Sequence, residues 1–170
     1  MIRRARPDDA HLLARIHVAS WRTTYAGIVD PDVLAGLSVA YRERQWAEWL
    51  ADPQRSAFVA ERDDSPVGFA IGGAARDAHL GIDGELYALY LLQEVQRMGF
   101  GGQLMRAMFD ALRQRDMTSA YTWVFTDNMP GRAFYRSMGG QEGPVQSFCI
   151  GPRTHHEIAY LWPELDIAIC

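Results

Sequence analysis

The sequence predicts an α/β domain of the α+β kind, with six to seven strands and helices on either side, and three observations carry that expectation. Helix-period segments crowd the first fifty residues, ahead of most of the strands. Two pairs of apolar runs separated by short polar turns read as hairpins. Between them a buried-type strand runs through a glycine turn into a helix. No repeat, low-complexity segment or Pro/Gly/Ser-rich linker divides the 170 residues, so a single domain spanning 1–170 is expected.

Taken in order, Met1 to Arg6 reads as a short first strand, and Pro7-Asp8-Asp9 supplies a proline and two acids where a helix start favours them. Leu12, Leu13, Ile16 and Ala19 then follow helical spacing toward Trp21. Asp30-Pro31-Asp32 starts a second helical region, and Val39 to Leu50 a third. Ala57 to Glu61 and Val67 to Gly73 form a hairpin across Arg62 to Pro66. Glu85 to Leu92 is apolar enough for a central strand buried on both faces. Gly99-Phe100-Gly101-Gly102 opens a helix with Leu104, Met105, Met108, Ala111 and Leu112 on one side. Ala120 to Thr126 is a further strand, Met129 to Met138 a helix, and Val145 to Ile150 with Glu157 to Trp162 a closing strand pair.

Composition narrows the chemistry. All 17 basic side chains are arginine and lysine is absent, which excludes a Walker phosphate loop, a lysine Schiff-base enzyme and a lysine general base. A formal net charge of -4 and a pI near 5.7 offer no basic field for nucleic acid or an anionic membrane. Cys149 and Cys170 sit in no metal-spaced cluster, no secretion signal or apolar run near 18 residues is present, and a reducing cytoplasmic setting is expected.

Gln96-Arg97-Met98-Gly99-Phe100-Gly101-Gly102 stands at the strand-to-helix junction, where backbone N–H groups lack intrahelical partners and the helix dipole favours an anion. A plain tight turn is the rival reading. A dinucleotide-binding turn is disfavoured, because Leu104 stands where the third glycine belongs and the turn follows the fourth strand.

Gln96 to Gly101 resembles the Q/R-x-x-G-x-G/A signature of the GCN5-related N-acetyltransferase (GNAT) superfamily, preceded by the strand Leu89-Tyr90-Leu91. Asn128 to Tyr135, with Met138-Gly139-Gly140 after it, is similar to that family's second signature, and Glu157 to Pro163 resembles the last strand of bacterial members. Met98 departs from the Arg, Lys or Gly common there. The resemblance implies a central mixed, mostly antiparallel sheet with an acyl-CoA cleft between strands 4 and 5. It implies transfer of an acyl group, usually acetyl, from coenzyme A to an amine in a direct ternary complex, without a metal. By this resemblance the amides of Arg97, Met98, Gly99, Phe100, Gly101 and Gly102 hold the pyrophosphate, and Gln96 is a further cofactor-binding residue. Leu89, Tyr90 and Leu91 pair with pantetheine as an added strand, and Asn128 contacts the cofactor arm.

The reaction needs a proton removed from an amine of pKa about 10.4 and a donor for a thiolate of pKa about 8.5. Tyr135 stands at the family's position for the acid, with a core-facing aromatic as the alternative. Glu85, 11 positions before Gln96, is the first choice of base, against a solvated strand-end acid or a water chain. His79, His155 and His156 are other possible bases, and strand alternation lets at most one of the adjacent pair face a site. His17 reads as packing or surface. For the acceptor, the resemblance points to the early helices, the strand opposite the cofactor and the last hairpin, and the candidates are Trp21, Tyr25, Glu85 and His155, with Trp46, Trp49, Arg22 and Glu43 nearby. An aromatic wall with a carboxylate suits a cationic amine. A non-catalytic acyl-CoA-binding module is the alternative function, and the edge near Val145 to Trp162 offers a surface for a homodimer.

Overall fold

The computed structural model describes residues 1–165, so Cys170 lies outside the described residues. Its sheet runs β1-β2-β3-β4-β5-β7-β6. The strands are β1 (Ile2–Arg4), β2 (Arg55–Arg62), β3 (Ser65–Ala74), β4 (Gly84–Leu91), β5 (Ala120–Phe125), β6 (Gln141–Ile150) and β7 (Arg153–Trp162). Every neighbouring pair is antiparallel except β4 and β5, which gives the mixed, mostly antiparallel seven-stranded sheet. The helices are α1 (Ala10–Thr24), α2 (Pro31–Ala35), α3 (Val39–Ala51), α4 (Phe100–Arg113) and α5 (Met129–Ser137). Among the described residues no helix is long and apolar enough to cross a membrane.

The two faces of the sheet are separate cores. On one, α4 contributes Leu104, Met105, Met108, Phe109 and Leu112, packed with Tyr135, Tyr160 and Trp162. On the other, α1 and α3 contribute Leu13, Ile16 and Trp46, packed on Val59, Phe69 and Ile71. The buried residues of α1 are Ala10, Leu13, Ala14, Ile16, His17, Val18 and Ser20, so Leu13 and Ile16 of the expected face are buried while Leu12 is 40% exposed. Arg3 pins the start of this helix to β1 by a bidentate pair with Asp9 at 2.7 and 2.8 Å.

Both hairpins run further than the sequence predicts. Asp63 and Asp64 each adopt positive φ, so two residues reverse the β2–β3 chain and polar Arg62 and Ser65 join the ladder. Gly143 and Pro144 lie inside β6, where they read as a break. The strand is an edge, and its register shifts between Glu142 and Val145, which accommodates the missing donor of Pro144.

Two local features of β4 shape the gap beside β5. Its register with β3 passes from Gly72↔Leu86 to Ile71↔Ala88, leaving Tyr87 as a bulge. Tyr87 and Ala88 therefore look the same way: Tyr87, Ala88 and Tyr90 face α1 and α3, whereas Leu86, Leu89 and Leu91 face α4. The second feature is the brevity of the β4–β5 pairing, Gly84↔Ala120 and Glu85↔Tyr121 only. Asp83 latches this closed end by accepting from the backbone N–H groups of Thr118 and Ser119, both at 2.9 Å, and from the Ser119 hydroxyl. Thr122 Oγ1 donates to Leu86 O at 2.8 Å as the last bridge, and beyond it the strands part.

Candidate active site where β4 and β5 part

One end of the gap is the turn from β4 into α4. The first bond of the helix runs from Gln103 N to Gly99 O, so the N–H groups just ahead of it have no intrahelical acceptor. Arg97 and Gly99 hold positive φ, 62° and 87°, which curls those amides toward one side. Gln96 Nε2 reaches back to Leu91 O at 3.4 Å, and Arg97 and Met98 project outward, Met98 with half of its surface exposed. Gly101 lies under Phe134, where a Cβ would come 3.1 Å from the ring. The residues singled out from Gln96 to Gly102 thus form one electropositive turn, exposed from Gln96 to Gly99 and covered at Gly101. The main chain of Leu89, Tyr90 and Leu91 leads into it, paired with β3 on one side and open toward β5 on the other.

The opposite wall comes from α5. Asn128 caps this helix by accepting from Gly131 N at 3.0 Å, and its Nδ2 lies so close that a Cβ at residue 131 would come within 2.7 Å of it. Tyr135, one turn further, is buried against Tyr160 and Trp162, with ring centroids 5.9 and 6.0 Å away. Burial and the nearby Tyr90 push its pKa upward against a hydrogen bond to Thr122, so its hydroxyl keeps its proton. Tyr90 is held protonated likewise, chiefly by burial, and its hydroxyl lies 2.9 Å from that of Tyr25.

On the α1/α3 face opens a cavity of about 150 Å³, lined by His17, Trp21 and Trp49 from the helices and by Tyr87, Ala88 and Tyr90 from β4, with Arg55 and Arg76 also bordering it. His17 is 5% exposed inside an aromatic box of Trp46, Trp49, Phe69 and Tyr90. Burial, assisted by Arg42, lowers its pKa to about 3, so the imidazole is neutral.

Glu85, 1% exposed, stands at the closed end of the gap. Its Oε2 accepts from Arg76 N and Nε, both at 3.0 Å, and from the Tyr121 hydroxyl at 2.7 Å, while Oε1 accepts from Arg76 Nη2 at 2.5 Å. Arg76 thus holds both of its oxygens, and Tyr121 one. Glu157 differs. It lies across from Phe125 on β7, half-buried, and its one side-chain hydrogen bond among the described residues comes from Gln146 at 2.8 Å. Burial, with Glu85 in range, raises its pKa.

The remaining expected residues fall in different places. Trp21 and Tyr25 pack edge to face at 4.7 Å, and Trp21 lines the cavity. Tyr25 closes a separate cluster with Val29, Leu34 and Phe125. His155 is buried between Phe125 and Phe148 with Nε2 unpartnered, whereas His156 and His79 are exposed. Trp46 is core. Glu43 pairs with His11 outside, and Arg22 bonds the carbonyls of Leu34 and Leu37, so neither serves the aromatic wall. His17, read as packing or surface, is packed and lines the cavity, whereas Arg76, Tyr121 and Glu157 were not singled out from the sequence. The alternation of Glu157, Ala159 and Leu161 against core-facing Ile158, Tyr160 and Trp162 was a usable signal for Glu157. Nothing in the sequence links Arg76 to Glu85, which meet only through the loop between β3 and β4.

The family model described as "Acetyltransferase (GNAT) family" matches residues 17–139. An uncharacterized N-acetyltransferase of Bacillus subtilis, YuaI, is 36% identical over 166 residues, covering 97% of this chain and 94% of its own. A probable N-acetyltransferase of Mycobacterium tuberculosis is 30% identical over 138 residues, 79% of this chain and 75% of its own. Among solved structures, a ribosomal-protein-alanine N-acetyltransferase from Brucella melitensis superposes with a TM-score of 0.76 at 22% identity, covering 95% of this chain and 98% of that one. The PaiA N-acetyltransferase of Thermoplasma acidophilum, solved in complex with coenzyme A, gives 0.69 at 19% identity, covering 93% and 96%.

Proposed function

Because this chain belongs to the GNAT acetyltransferase family, we propose that it transfers an acyl group, acetyl in the first instance, from acyl-CoA to a primary amine. The acceptor class is a small molecule, a peptide or a protein amino terminus, and transfer is direct, within a ternary complex formed on one cytoplasmic domain. The parting of β4 and β5 in front of the bare α4 N-terminus is the observation that carries this reading.

The donor set fits a coenzyme A arm. The N–H groups between Arg97 and Gly102, with the Arg97 cation, suit a pyrophosphate, and the open main chain of Leu89, Tyr90 and Leu91 suits amide groups laid alongside as an extra strand. Asn128 uses Oδ1 for its own helix and has Nδ2 to offer. In the reaction the amine nitrogen bonds the acyl carbon as the carbon–sulfur bond breaks. An ammonium acceptor loses two protons, one before it attacks and one as the amide forms; the second replaces the proton that sulfur takes from Tyr135, and the first leaves to solvent. Tyr135, kept protonated by burial, donates to the departing sulfur. Glu85 and Glu157 are the two carboxylates for the first proton. The reading gives acceptance of that proton, directly or through water, to the less committed Glu157, and gives Glu85 the work of fixing Arg76 and Tyr121.

Titration calorimetry with acetyl-CoA and thiol release over an amine panel test this reading. The expected result is saturable binding, turnover, and a loss of about 10²-fold or more in kcat for Tyr135→Phe with binding retained. Binding without turnover on any amine moves the assignment to an acyl-CoA-binding module, and absence of binding removes both.

A further inference from the structure

We propose that the acceptor cavity selects an amine that also carries a carboxylate on an apolar body, the chemistry of a free branched or aromatic amino acid. This rests on the acyl-transfer reading and names the substrate class of that site. Two guanidinium groups, those of Arg55 and Arg76, border the cavity, and a third, that of Arg42, acts on two of its lining residues, His17 and Tyr90. Arg76 lies 4.4 Å over the Tyr87 ring and Arg55 lies 5.5 Å over the same ring and 5.7 Å over Trp49. Each is neutralised along one edge only, Arg76 by Glu85 and Arg55 by Asp52 at 3.0 Å. Among the described residues, both terminal nitrogens of Arg55 and Nη1 of Arg76 make no hydrogen bond to the protein.

Arg42 is the third cation. It projects from the same side of α3 as Trp46 and Trp49, is half-buried, and bonds only Gln45 Oε1 at 2.7 Å, with no carboxylate within 4.0 Å among the described residues. Burial lowers its pKa, and its charge is felt by both His17 and Tyr90 in the cavity lining. A half-buried cation without a counter-ion is costly unless something pairs with it. The lining also holds a buried polar atom without a partner, His17 Nδ1. The neutral imidazole offers a further bond without repelling either charge of the acceptor. Trp21, Trp49, Tyr87 and Tyr90 supply apolar wall for the body.

The test compares matched acceptors that differ only by the carboxylate: phenylalanine against 2-phenylethylamine, and leucine against 3-methylbutylamine. Thiol release is measured on the wild type, Arg42→Gln and Arg55→Gln, with circular dichroism checking the fold. Expected is at least a tenfold preference in kcat/KM for the carboxylate member of a pair, and a fall of about tenfold in that ratio in each variant, carried by KM. Arg42→Lys should recover part of it. Titration of N-acetyl-phenylalanine and N-acetyl-2-phenylethylamine into the same proteins reads the preference without turnover. Equal or reversed preference in both measurements, or a preference untouched by either variant, overturns the proposal while acetyl-CoA binding leaves the acyl-transfer reading standing. Failure to bind acetyl-CoA takes down both.

Discussion

Replacing Glu85 with Gln tests the clamp at the closed end of the gap. The carboxylate accepts four hydrogen bonds, three on Oε2 and one on Oε1. Glutamine keeps the three when its oxygen takes the Oε2 place, but its NH2 then faces Arg76 Nη2, donor against donor. The lost charge-assisted bond is worth about 1.5–3 kcal/mol, and removing the charge from the other three costs about 1 kcal/mol more. Arg76 has a side chain 62% exposed and recovers part of this by turning to water. The expected net destabilisation is about 2–3 kcal/mol. In urea unfolding, with a slope of roughly 2 kcal/mol/M, the midpoint falls by about 1–1.5 M at unchanged slope. A midpoint within about 0.3 M of wild type refutes the reasoning, because a carboxylate so easily replaced cannot be what holds Arg76 and Tyr121. The same variant speaks to the base: a kcat preserved per folded molecule, with the wild-type pH profile, leaves Glu85 outside the proton transfer.

Further outcomes follow from other residues. Glu157→Gln should lower kcat by about 10²-fold and abolish the rise of kcat/KM with pH that belongs to Glu157, whose raised pKa makes the competent ionised form appear later than in an ordinary glutamate; an intact rise assigns the limb elsewhere. Gly131→Ala places a Cβ against Asn128 Nδ2 and forces the side chain off its cap, so thermal stability changes by about 1 kcal/mol or less, the cap lost against helix propensity gained, while KM for acetyl-CoA rises several-fold. Asp83→Asn should destabilise by about 1 kcal/mol near neutral pH. Burial works against the Asp83 carboxylate, but the bonds from Ser119 and Thr118 outweigh it and lower its pKa to about 2. Its contribution is therefore complete above the unfolded value of roughly 3.9 and disappears as pH falls through about 2. Stability curves of variant and wild type should converge there, and parallel curves down to pH 2 count against the latch.

The elements legible in the sequence were those with a local cause. Proline and aspartates at residues 7–9, Asn128 at the head of its helix, and the stripe of Leu104, Met105, Met108 and Leu112 act within a turn or two of helix, and the helices stand where those residues put them. Gly99 likewise announces a left-handed residue before α4. Strand ends were less legible, because Arg62, Gly143 and Pro144 are held in strand by partners on other segments and by the edge position of β6.

The sequence by itself determined the α/β class, the order of elements, the GNAT signatures around Gln96 to Gly102 and Asn128 to Tyr135, and the exclusion of lysine chemistry. Only the tertiary structure decided which way Glu85 looks. A one-residue bulge at Tyr87 sets the strand face, and the loop before Asp83 brings Arg76 onto the carboxylate. The same holds for the cavity, where His17, Trp49, Arg55, Arg76 and Tyr87 converge from five separate segments. Local propensity acts over a few residues, whereas the surroundings of a side chain are set by register and long-range packing, and the commitment of Glu85 to Arg76 is a property of those surroundings.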